Sequence, residues 1–184
     1  MPAILHRFAK GHPKVRINMR DTDSATIAHD LAAGRADIAL ASLGPQAGFE
    51  RALLFSDRFG VVCPSDHPLA ADWEALTWAD LVDIPFIANG LCHYISDPDF
   101  RPILDRATLN VSGTDALLSL VRAGMGVTLL PELTMQDAGA DITFLPLVDA
   151  SIRREVWMFT PTESGMTPAA LARTLRAQEI PLTH

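Results

Sequence analysis

The sequence predicts an α/β fold. Segments with apolar residues at helical spacing alternate with short, continuously apolar or β-branched ones along the chain. Glycines stand where the helical pattern gives way to the strand pattern. The chain of 184 residues, 48% hydrophobic and 20% charged, has enough material for the core of one domain or two small lobes.

The elements follow in order. "AILHRFAK" sets Ile4, Leu5 and Phe8 on one helical face, and "VRINMR" alternates Val15, Ile17 and Met19 as a strand with one better-buried side. "SATIAHDLAAG" reads as a helix with Ile27 and Leu31 four apart, capped by Asp23 or Ser24 in front and Gly34 behind. "ADIALA" is a buried strand, and "ALLFSDRFGVVCP" a long extended stretch closed by the turn "SDHPLA". "TWADLVD" is a short capped helix, "IPFIA" a strand, and "PDFRPILDRA" a helix whose Pro102 must lie near its start. Then come strand "TLNVS", helix 114–123, strand "VTLLP", a helix opened by Pro131 and strand "ITFLPL". The tail is strand "REVWMFTP" and helix "TPAALARTLRA", with Thr167 as cap, Pro168 in the first turn, and Leu171 and Leu175 paired. This order predicts parallel strands joined by right-handed crossovers.

The stretch "VRAGMGVTLLPE" carries a Gly-x-Gly, but it leaves a helix and enters a strand. A dinucleotide loop does the reverse and needs a third glycine. The pair is therefore read as a helix C-cap, Gly124, and a tight strand entry, Gly126. Residues 15–40 and 107–131 share one plan: strand, short loop with Ser or Thr, helix, glycine, buried strand. In a parallel unit the helix N-terminus lies at the carboxyl end of the preceding strand, where its free N–H groups favour an anion.

The net charge is −7, with no Lys/Arg cluster beyond Arg153–Arg154, so the chain is a poor holder of DNA phosphates. No apolar run approaches the roughly 20 residues of a membrane span. The start "MPAILHRFAKGHPK" is too interrupted for a signal peptide, and two cysteines point to a reducing, cytoplasmic setting. Neither Cys63-x3-His67 nor Cys92–His93 completes a metal set, and no hydrolase elbow, zinc-protease motif or phosphate loop occurs. No catalytic residue, metal or cofactor is expected. Trp73, Trp78 and Trp157 read as packing anchors, and Arg58 as an ion-pair partner or anion contact.

Three stretches resemble the effector domains of LysR-type transcriptional regulators. "HDLAAGRADIAL" is similar to their helix-to-strand passage ending in Gly-x-x-Asp, and "FGVVCPSDHPLA" to the passage between lobes followed by His-Pro-Leu. "VRAGMGVTLLPE" is similar to their helix–Gly-x-Gly–strand–Pro motif, and the likeness runs from about Pro2 to about Gln178. The resemblance implies a periplasmic-binding-protein-like fold of two α/β lobes joined by two crossovers, with a small-molecule cleft. The expected lobes are residues 1–63 with 151–184, and residues 64–150, the chain bending at Phe59–Pro64 and Leu147–Ile152. It also implies homodimers or tetramers, and control of operator DNA by an N-terminal winged helix-turn-helix.

That DNA-reading module and the family's first effector-domain strand are not found in this sequence. No operator binding is therefore expected of this chain, and backbone groups beside "VRINMR" are expected to lack a neighbour. The effector contacts expected are Gly113 and Thr114 at a helix start, Ser24 at the equivalent start, and Asn89 and Gly90 after a strand. Ser42 stands where the family often has a hydroxyl ligand. The expected ligand is a small organic anion. Two alternatives are a stand-alone solute-binding protein of the same fold and a small enzyme using Cys92 or His93.

Overall fold

A computed structural model describes residues 2–22, 24–71, 76–149, 151–163 and 165–176. The chain forms two compact units, one running to Ser56 and resuming at Glu155, the other Asp57–Arg154. It passes between them inside two long strands, β2 (Phe49–Pro64) and β7 (Arg153–Pro161). The first passage lies upstream of Cys63, and residues 59–64 of β2 are already paired in the second unit's sheet. Asp23, Trp73 and Ala150, to which a cap, an anchor and a boundary were assigned, lie outside the described residues.

In the first unit, helix α1 (Pro2–Gly11) packs with α5 (Met166–Arg176), and strand β1 (Ala39–Ala41) pairs antiparallel with β7, Leu40 opposite Met158. Alternation along β7 serves two layers. Met158 joins Ile4, Ala172 and Leu175 on one side, and Phe159 joins Leu31, Ala39 and Ala41 on the other. Helix α2 (Ser24–Ala32) ends where Gly34 turns to φ 64°, its N–H bonding Leu31 O while Arg35 N–H bonds Asp30 O. These two bonds satisfy the last carbonyls as a Schellman motif does. The terminal helix begins at Met166, so Thr167 lies inside it rather than ahead of it.

"VRINMR" does not form a strand. Residues 15–22 make no ladder, and apart from Val15 N–H to His12 O no backbone hydrogen bond is found there among the described residues. A strand exists only by pairing, and among the described residues no neighbouring strand is offered to this one. Ile17 and Met19 are left 36% and 68% exposed, and Arg20 anchors the stretch to Asp30.

The second unit holds β3 (Ile87–Asn89), α3 (Arg101–Asp105), β4 (Leu109–Val111), α4 (Thr114–Arg122), β5 (Thr128–Pro131) and β6 (Ile142–Pro146). β3 is parallel to β4 and, through Ile87 N–H to Val127 O and Val127 N–H to Pro85 O, runs along β5. β2 lies antiparallel to both β5 and β6, which corrects the expectation of parallel strands throughout. A strand that runs on from another unit has no crossover helix to set its direction. The segment after Pro131 is a 3-10 helix, Glu132–Asp137, rather than an α-helix. Val61 and Cys63 of β2 face one core with Phe86, Phe100 and Leu129, while Val62 faces another with Leu117, Val121 and Leu130. Both sheet faces are therefore covered.

The joint between α4 and β5 explains its two glycines. Gly124, at φ 71°, closes the helix with its N–H on Val121 O and the Met125 N–H on Leu120 O. Gly126, at φ 149°, passes so near the preceding strand that a Cβ would lie 2.5 Å from Pro85 O. Gly126→Ala should therefore cost about 2–4 kcal/mol. Gly124→Ala, with open space around it, should cost about 1 kcal/mol. Urea unfolding measures both, and equal losses would refute the close-approach argument.

Both thiols are buried, Cys63 completely and Cys92 all but 1%. Burial pushes the Cys63 thiol from its ordinary 9.0 up to about 11. The folded state thus holds this proton more tightly than the unfolded state. Its contribution is complete below pH 9 and is lost as pH rises through 11, at a slope of about 1.4 kcal/mol per pH unit. Chemical denaturation of Cys63→Ala across that range should show a shallower alkaline decline than the parent; parallel declines would count against it.

Candidate functional site

The second unit gathers four of the six predicted contact residues at one edge. In the β3–β4 register Asn89 lies opposite Val111, so Asn89–Gly90 and Gly113–Thr114 leave adjacent parallel strands at their carboxyl ends. Open α/β sheets bind ligands at such an edge. Ser24, the first residue of α2, and Ser42, just past β1, belong to the first unit, and both are half-buried.

Thr114 is the first residue of α4, whose cap is Gly113 at φ −94° and ψ 128°. No side chain caps this helix, and Thr114 is exposed. The hydroxyl is therefore not spent on the helix end, as a capping threonine's would be. Leu117 N–H is the first to bond back, to Gly113 O at 3.0 Å. The N–H groups of residues 114–116 are the helix's unclaimed donors, reinforced by its dipole and opposed by the exposed Asp115. Around Gly113 and Gly90 a Cβ would meet nothing within 4 Å, so neither approach is blocked.

Asn89 behaves differently. It is buried, and its amide donates to Thr128 Oγ1 at 3.0 Å and Leu129 O at 2.9 Å while its carbonyl accepts from Leu91 N–H at 2.8 Å. Thr128 Oγ1 in turn donates to Ile87 O at 2.7 Å. Asn89 therefore ties β3 to β5 and caps the 3-10 helix Gly90–Tyr94, with both amide donors occupied. What this edge offers a ligand comes from Gly90, Gly113 and Thr114.

A charged group beyond β5 was not foreseen as a set. Arg58 donates to both oxygens of Glu132, at 2.7 and 3.0 Å. The neighbouring Asp57 is 1% exposed and accepts the Leu133 N–H with both oxygens. Burial raises its carboxyl above the usual range, against the opposing pull of that N–H and of Arg154. The pair Arg153–Arg154 was the sequence's one basic cluster, and this was the available signal.

Other candidates are set aside by their surroundings. Cys92 is buried, its thiol pushed up by desolvation, and His93 beside it is exposed. A thiol held protonated in a core is not a nucleophile. His67 accepts the Leu69 N–H at a 3-10 cap, away from any thiol chemistry. Among the described residues no three His, Cys, Asp or Glu side chains assemble a metal set. Trp78 donates to Asp97 and packs on Phe100, and Arg51 stacks over Trp157. A cavity of about 410 Å³ opens at the opposite, amino edge, lined by Ile84, Pro85, Arg106, Thr108, Leu109 and Met125. It is remote in topology from the Thr114 edge, and the helix-end donors weigh more here than cavity volume.

Comparison with known proteins places this architecture. The model of the LysR substrate binding domain matches residues 1–177. A probable nitrogen assimilation transcriptional activator of Synechococcus elongatus is 26% identical over 180 residues, which cover 91% of this chain and 58% of that protein. The chain thus spans little more than half the length of such relatives. The regulatory domain of Synechocystis PCC6803 CcmR, solved with 2-PG, superposes with a TM-score of 0.79 at 20% identity, over 96% of this chain and 89% of that one. The BenM effector binding domain, solved with benzoate, gives 0.74 at 24% identity, over 96% and 84%. These two likenesses establish a periplasmic-binding-protein-like α/β fold. With its helix–Gly-Met-Gly–strand joint and open carboxyl edge, the chain belongs to the LysR substrate binding domain family.

Proposed function

We propose that this chain is the effector-sensing part of a LysR-type transcriptional regulator, and that its effector is a small organic anion held at the Thr114 edge. The observation that carries the reading is the start of α4, with an uncapped helix end, an exposed threonine and open glycines on either strand. Free N–H groups and a positive dipole end select negative charge there. Small-molecule complexes of CcmR and BenM support the same class of role. Ser24 and Ser42 are the candidate contacts on the first unit. The two compact units are the two lobes of the fold, with β2 and β7 as their connections.

Regulation would proceed by population shift. An effector that binds one arrangement of the protein better than another biases the equilibrium by that difference in affinity. In a full-length homodimer or tetramer the bias would reach the DNA-reading modules of the regulator. The acidic balance of residues 1–184 makes them a poor holder of DNA phosphates, so operator binding is assigned to those modules. Among the described residues no helix is long and apolar enough to cross a membrane, and a cytoplasmic regulator is the setting proposed.

Thr114→Val tests the site directly. Losing one hydrogen bond to a charged ligand costs about 1.5–3 kcal/mol, roughly tenfold to a hundredfold in affinity. Because the hydroxyl makes no cap bond, the free protein should keep its stability within about 0.5 kcal/mol. Calorimetric titration with benzoate, shikimate and inorganic phosphate, beside thermal melts, reads both quantities. A destabilised protein with unchanged affinity would make Thr114 a structural residue only.

A further inference from the structure

A second group at the same edge is left incomplete by the fold. Arg154 opens the return strand β7 and is only partly exposed, yet its Nε–H is buried without a hydrogen-bond partner. The ion pairs of the described residues do not include it. Its electrostatic partners are Asp57 and Tyr94. Asp57 accepts the Leu133 N–H with both oxygens, and among the described residues no ion pair joins it to the Arg154 guanidinium. Burial holds the guanidinium below the ordinary arginine range, consistent with an incompletely compensated charge.

Topology places this group with the carboxyl edge. Tyr94 ends the 3-10 helix that Asn89 caps, directly after β3. Leu133 follows Pro131, the end of β5, which runs beside β3 through the Phe86–Val127 bridge. Of the groups acting on Arg154, Tyr94 belongs to the segment that leaves β3, and Asp57 of β2 is held by Leu133 in the segment that leaves β5. β3 lies between β5 and the strand whose exit carries Thr114. A buried donor without an acceptor is costly and calls for an explanation. A donor already out of water meets a ligand oxygen without being stripped of solvent again.

We propose that Arg154 is an effector-binding residue, its guanidinium receiving the carboxylate or phosphate oxygens of the anion side-on through Nε and a terminal nitrogen. This assignment rests on the Thr114 reading and deepens it: the helix start supplies neutral donors, and Arg154 supplies the fixed charge. A planar fork accepts two oxygens at once, which a lysine cannot imitate. The site therefore discriminates a carboxylate from its amide of the same shape.

The test titrates the parent chain, Arg154→Gln, Arg154→Lys and Thr114→Val with benzoate, benzamide, shikimate and inorganic phosphate. The parent should bind at least one of the anions and prefer benzoate to benzamide. Arg154→Gln should weaken the anion roughly tenfold or more and erase the preference, and Arg154→Lys should restore only part of it. Should Arg154→Gln fold poorly, the Nε–H resonance of Arg154 in the nitrogen-15-labelled parent gives an independent reading. It should shift with the bound anion and stay put in sodium chloride at equal ionic strength. Anion binding weakened by Thr114→Val but untouched at Arg154 would overturn this assignment alone. Absence of binding by every anion to the parent would overturn it together with the reading beneath it.

Discussion

The parallel seam between β3 and β5 depends on backbone approaching backbone at Gly126. Where the chain returns from α4, Val127 must exchange hydrogen bonds with Pro85 and Ile87, and a side chain at Gly126 would strike Pro85 O. Once that contact is made, Thr128 lies under Ile87 O, and Asn89 reaches Thr128 and Leu129. Asn89 then caps the next segment, and Val111 beside it delivers Gly113 and Thr114. The Thr114 edge is thus the far end of a chain of contacts begun by one missing Cβ.

Each unit also buries an aspartate, and the two are treated differently. Asp30 is met by Arg35 at 2.8 Å and by Arg20, whose own segment has no ladder to hold it. That ion pair is what ties residues 15–22 to α2. The Asp57 carboxyl is raised by burial, which outweighs the lowering pull of the one backbone N–H it accepts and of Arg154. The first aspartate is a fastening; the second leaves a guanidinium uncommitted.

Most elements were legible because each carries a local cause. Helices α1, α2 and α4 show apolar spacing and glycine ends, and β2 shows a long extended stretch with Val61 and Val62 near its end, bounded by Pro64. "VRINMR" was misread because alternation records which side a strand would bury, not whether a partner exists. Strand direction was misread because β2 and β7 belong to both units, which no short window reveals. At the candidate site, Thr114 was visible from its place before a helical pattern, whereas its freedom from capping needed coordinates. Asn89 looked like a ligand contact because its engagement lies with Thr128 and Leu129, distant in sequence. Arg154 was visible only as half of a basic pair.

The placement of the two cysteines gives the molecule a built-in clock. Both are sealed in the Asp57–Arg154 unit, one in the strand shared with the other unit and one in the turn that Asn89 caps, and the sequence holds no third. A thiol reagent added to the native chain must wait for that unit to open, since core thiols react only when exposed. Its rate of consumption therefore times the opening of one unit and is blind to the other. Motions of the two halves become separable by chemistry alone, with no dye or label engineered into the chain.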